Sequence, residues 1–169
     1  MAIVAGDIEY RLSSGASQSN PLISFGGVVS SVEVVDASDN NLFADVSGDD
    51  ASSGVTHYRL IYVFNNHGSL TLQGAKVWIS TDTTSSDDEI DIALAGEGLN
   101  TNTEVIANED TPPSGESFTH PTTKAGGLTL GDIPAGQYFG VWIRRVVGSS
   151  ASAIAANSGI ISVEGDTAA

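Results

Sequence analysis

The segment from Val55 to Asn65 reads Val-Thr-His-Tyr-Arg-Leu-Ile-Tyr-Val-Phe-Asn, with β-branched and aromatic residues on both parities. Successive side chains of a strand point to opposite faces, so this one is apolar above and below. It has to lie centrally, with a covering layer on each side. No amphipathic helix of useful length exists elsewhere to form such a layer. Nineteen Gly and abundant Ser, Thr, Asp and Asn instead mark frequent turns. Roughly seven to nine short strands separated by turn signals predict an all-β fold, an antiparallel β-sandwich with the immunoglobulin-like type as its nearest relative.

The other strands are read from the same periodicity. Asn65 to Ser69 has turn chemistry, and Leu70 to Ser80 returns from it, which makes a hairpin with the Val55 to Asn65 strand the expectation. The apolar parity of that second strand changes at Gly74, the signature of a bulge. Ile90 to Leu94 alternates strictly, as a half-exposed strand does. Ser31 to Val35 is a short candidate, Gln137 to Val147 a long one after Leu128 to Gly136, and Gly159 to Gly165 closes the domain. Residues 1–30 differ. After the alternating piece Asp7 to Leu12, Ser13 to Pro21 has no period and strong turn chemistry. This divides the chain into an extended N-terminal arm over 1–30 and a β-sandwich domain over 31–169; an ordinary first strand followed by a loop is the other reading of the same residues.

Charge narrows the partners. The chain carries 21 Asp and Glu against six Lys and Arg, a formal net charge of −15. Nucleic-acid binding depends on neutralising phosphates with Lys and Arg, so no nucleic-acid partner is expected, and an anionic membrane surface is repelled by the same field. No cysteine is present, which removes disulfides, thiolate catalysis and Cys-ligated zinc together. The opening Met-Ala-Ile-Val-Ala-Gly-Asp lacks the basic and apolar regions of a signal peptide, and apolar runs such as Leu60 to Phe64 are too short to span a bilayer. The expected site of synthesis is therefore the cytosol.

Catalytic and metal-binding patterns are sparse. His57, His67 and His120 lack paired or i,i+4 spacing, and no nucleophile elbow, P-loop or dinucleotide fingerprint occurs. The acidic clusters Asp45 to Asp50 and Asp82 to Asp91 do not follow the calcium-loop register. No enzyme activity, cofactor or metal is expected.

The Val-Trp-Ile core of Lys76-Val77-Trp78-Ile79 recurs in Val141-Trp142-Ile143-Arg144-Arg145. In each strand the tryptophan shares a face with a cation, Lys76 or Arg144, and something has to cover it. Two covers are open: an arm or loop of the same chain, with the indole N–H bonded to a backbone acceptor, or a neighbouring subunit, since Trp and Arg are enriched at interfaces. On the second reading Tyr10, Arg11, Lys76, Trp78, Trp142, Arg144 and Arg145 form the interface.

Several of these segments together resemble a known family. Glu9-Tyr10-Arg11-Leu12, Phe43 to Asp49, Tyr58 to Ser80, Ile133-Pro134-Ala135-Gly136-Gln137 through Arg145, and Val163-Glu164-Gly165-Asp166 look like small proteins of tailed bacteriophages, similar to capsid decoration (cement) proteins. The resemblance spans nearly the whole chain and rests on strands and turns, so it carries no functional residue across. It implies a homo-oligomer, commonly a trimer, bound to the major capsid protein on the exterior of the virion after assembly in a bacterial cytoplasm. A phage tail or receptor-binding component and a non-viral carbohydrate- or calcium-binding sandwich module are the alternatives.

Overall fold

The structure, a computed structural model, describes residues 2–167. Its strands are β1 (Ile8–Arg11), β2 (Val55–Asn65), β3 (Leu72–Thr81), β4 (Asp88–Leu94), β5 (Leu128–Ile133), β6 (Tyr138–Val147) and β7 (Ile160–Thr167). One sheet has the order β1-β2-β6-β4 and the other β5-β3-β7, and every ladder is antiparallel. The fold is an all-β sandwich, as the turn-rich composition and doubly apolar strand require. The only α-helix among the described residues, α1 (Gly48–Ser53), is short and capped, with Ser47 and Asp50 bonding each other's backbone.

The two faces of β2 account for its sequence. Ile61 and Val63 join Val141 and Ile143 of β6 against Val77 and Ile79 of β3 in the core between the sheets. Leu60 and Tyr62 point the other way, into a second cluster with Ala93 and Trp142. That outer face is roofed by segments outside the strands, through Phe25, Val29, Ile106 and Phe118. The second covering layer is thus made of the chain's own loops.

The expected hairpin is not formed. β2 pairs with β1 and β6, whereas β3 pairs with β5 and β7 in the opposite sheet. The connection turns as the sequence requires, and it then crosses between layers. Asn65, fully buried, fixes the crossing: its amide nitrogen donates to the carbonyls of Leu70 at 2.9 Å and Ile133 at 2.8 Å. His67 Nδ1 accepts the backbone N–H groups of Ser69 and Leu70 and closes the turn. The bulge expected at Gly74 is present as a register shift in the β3–β5 ladder, with Gly74 at φ +55°. The sheets share the four-plus-three count of a constant-type immunoglobulin domain, but the strand order differs, since that type would run β1-β2-β5-β4 over β3-β6-β7.

Residues 8–30 do not extend from the sandwich as an arm. β1 pairs with β2 from Ile8↔Asn65 to Arg11↔Tyr62, and Leu12, Ser13, Ser24 and Ser30 are buried. Ser24 Oγ donates to the Leu60 carbonyl at 2.7 Å and accepts the Ser13 N–H at 2.8 Å, while Ser13 Oγ accepts the Gly26 N–H at 2.9 Å. Small hydroxyls that read as turn chemistry are here the interior partners of backbone groups. The Ser31 to Val35 candidate reduces to a bridge, Arg11↔Glu33, along the outer edge of β1.

Candidate functional site

The seven residues expected at an interface do not lie on one surface. Trp142 is completely buried beneath the loop roof, so the same-chain cover applies to it. Among the described residues its indole N–H has no hydrogen-bond partner, contrary to the expected backbone acceptor. Trp78 and Lys76 alternate with Val77 and Ile79, which face the core, and so lie on the opposite, outer face of β3. Trp78 is half-buried, and Lys76 Nζ donates to the Ala125 carbonyl at 3.2 Å. Tyr10 and Arg11 are on the edge strand β1. The Tyr10 hydroxyl reaches the Ile161 carbonyl on β7, and burial pushes its pKa up to about 12. The Arg11 guanidinium lies 3.4 Å from the centre of the Phe64 ring and pairs with Glu9 at 2.7 Å.

Arg144 and Arg145 are not a free basic patch. Adjacent residues of a strand face opposite sides, and each finds a buried carboxylate on β4. Arg144 donates to Asp91 Oδ2 through Nε at 3.0 Å and Nη2 at 2.6 Å, on the roofed face beside Phe118. Arg145 grips both oxygens of Asp88 and also donates to the Ala44 carbonyl at 2.7 Å. Asp88 and Asp91 are 5% and 6% exposed, so β4 is covered on both faces and is not the half-exposed strand its alternation implies. The cations supply the reason, because they permit carboxylates at positions that would otherwise face water.

Sequence reasoning missed Arg59. Only 1% exposed, it donates to the carbonyls of Leu42 at 3.1 Å and Tyr58 at 2.9 Å, pairs with Glu109, and sits between the rings of Phe25 and Phe43. Burial draws its pKa below the ordinary arginine value against the opposing pull of Glu109. The signal available was a cation inside the most apolar strand of the chain.

The one grouping of metal-ligand type among the described residues is Glu89, Asp91 and His120. Its groups are already engaged. Asp91 is held by Arg144, and His120 sits with Nδ1 2.6 Å from the Ile90 carbonyl and Nε2 3.1 Å from Asp82 Oδ2. Both ring nitrogens therefore face acceptors, and only the imidazolium, with two N–H groups, satisfies both. Burial works against the charged ring, but the Ile90 carbonyl and the Asp82 and Glu89 carboxylates outweigh it, and the pKa is raised above 6.5. The result is a clasp: Thr119, next in the chain, pairs with Ile92 and covers the outer edge of β4.

A folded pKa above the unfolded one gives stability that is complete below the unfolded value and lost as pH rises through the folded value. Unfolding free energy measured by urea titration from about pH 6 to about pH 9 should therefore decline. His120→Gln should flatten that decline, and an unchanged slope in this variant would show that the clasp does not titrate.

No protein-family model, curated protein or solved structure matches the chain.

Proposed function

We propose that this protein is a non-catalytic structural component of a bacteriophage virion, bound to the outside of the capsid shell as a homo-oligomer, most simply a trimer, that stabilises the shell. The observation carrying the reading is the fate of its six cations. Arg11, Arg59, Lys124, Arg144 and Arg145 each pair with a carboxylate of the same chain, and Lys76 donates to a backbone carbonyl. Only five of the 21 carboxylates are engaged in this way, so the exterior is anionic with its positive groups already spent. Such a surface is repelled by packaged DNA and suits the outside of a shell.

Contact with neighbours then falls to uncharged surface. Val28 and Val105, 44% and 67% exposed, lie on the loop roof, where Gly26 bridges Val105. Gly26 and Gly27, at φ +94° and +79°, allow that close approach, since a Cβ on Gly26 would meet the Glu104 carbonyl oxygen at 1.9 Å. Apolar side chains held on a rigid roof form a low-entropy contact surface for a capsid subunit or another copy.

The test is location. Purified particles of the parent phage should contain the protein in the capsid fraction after disruption, in fixed stoichiometry with the major capsid protein by gel densitometry. Recovery with tails, or absence from virions, would overturn the reading.

A further inference from the structure

The two sheets are unequal at one flank. β1 and the short pairing of Glu33 along its outer edge overhang β7, whose only strand neighbour among the described residues is β3. The N-terminal segment touches β7 at two points, the Tyr10 hydroxyl on the Ile161 carbonyl at 3.4 Å and the Ile3 N–H on Thr167 Oγ1 at 3.2 Å. Among the described residues no strand or bridge occupies the outer edge of β7. The edges of β1 and β4 are covered at Arg11 and Ile92, and β5, the other open edge, is shorter and carries Gly131 at φ +78°. β7 is eight residues long, and its Ile-Ile-Ser-Val-Glu-Gly-Asp-Thr contains neither Pro nor Lys. The register shifts of its ladder add their extra residues on β3, so β7 itself is unbulged. It lacks most of the devices that keep exposed edges from pairing.

The interior side of this flank is also unfinished. Ile161 and Val163 pack on the core cluster yet stay half-buried. Between them and β1 runs a cleft of about 260 Å³, floored by Ile8, Tyr10, Val34 and Val163 and rimmed by Glu33 and Asp36. A strand laid beside β7 would exchange the long 3.4 Å contact of the Tyr10 hydroxyl with the Ile161 carbonyl for ladder hydrogen bonds and cover these side chains.

We propose that the outer edge of β7 receives an extended segment of another protein as a fourth strand of its sheet, a segment alternating apolar residues with Lys or Arg. Alternation follows from the pleat, which turns every second side chain into the cleft. The basic character follows from charge: among the described residues Glu33, Asp36 and Asp166 have no ion-pair partner, and the nearby Arg11 is neutralised by Glu9. A second copy, itself at −15, would bring acids against acids. The inference is independent of the capsid reading, because it rests on the edge and not on which protein bears the segment.

A blocked synthetic peptide as long as β7, alternating valine with lysine, is the probe. Titrated into the isotopically labelled full chain, it should shift the amide resonances of Ile160–Thr167, Tyr10 and Val34 and slow hydrogen exchange in β7. Glu33→Lys with Asp36→Lys, both at exposed positions, should weaken binding by about tenfold. No shift at millimolar peptide, shifts confined to other strands, or equal binding of the peptide with glutamate in place of lysine would overturn the proposal. Concentration-dependent protection of β7 without peptide would overturn it too, giving the edge to a second copy.

Discussion

Replacing Asp88 with Ala should lower the unfolding free energy by about 3–5 kcal/mol, because it removes the buried carboxylate that pairs with the largely buried Arg145 guanidinium. Asp88 is 5% exposed, accepts from both Nε and Nη2 of Arg145, and also accepts from Asn157 Nδ2 at 2.8 Å. Removing one carboxylate thus leaves the guanidinium with only the Ala44 carbonyl and takes the acceptor of the Asn157 amide away. The apolar double replacement Asp88→Leu with Arg145→Met should recover much of the loss, since well-packed apolar pairs commonly equal buried ion pairs. Lys124→Ala, which breaks the exposed pair with Glu164, should cost no more than about 1 kcal/mol. Urea unfolding of the four proteins checks the order, and an Asp88→Ala cost as small as that of Lys124→Ala would show that the Arg145 site is wetter than its burial implies.

Trp142→Ala should cost about 3–5 kcal/mol, the range for emptying a large aromatic site. The site is roofed by loops whose own packing depends on the indole, among them Ile106 and Phe118. Trp142→Phe should cost much less. The indole N–H has no partner among the described residues, so removing it sheds a buried unsatisfied donor that itself costs about 1–3 kcal/mol. Equal losses in the two variants would mean that the N–H is bonded in solution. Thermal and urea unfolding with tryptophan emission from Trp78 as the remaining probe would separate these outcomes.

The strands were legible because their information is local. Alternation and β-branched content locate β2, β3 and β6 within a few residues, and the parity change at Gly74 marks a bulge that is there. What pairs with what was not legible. A turn such as Asn65 to Ser69 has the same local chemistry whether it returns the chain beside itself or hands it to the other sheet, and Asn65 decides between them through Ile133, 68 residues away. Arg144 and Arg145 were read as surface cations for a similar reason. Their carboxylates lie 53 and 57 residues upstream, and an acidic loop looks solvated until a cation is set against it. The serines of residues 13–30 were misread in kind: small hydroxyls signal turns when exposed, and inside they serve as partners for backbone groups such as the Leu60 carbonyl.

The ladder order has a consequence for synthesis. β2 emerges from the ribosome with only β1 available beside it, and its other neighbour, β6, ends at Val147. Until then Leu60, Ile61, Tyr62 and Val63, all buried in the finished molecule, lack most of their cover. Closure entropy over so long a loop must be spent before β2–β6 pairing returns anything, which makes this pairing slow and places it after the synthesis of β6. A nascent chain stalled before residue 138 therefore presents an apolar strand with an open edge, the form in which β-rich chains are drawn to chaperones or to one another.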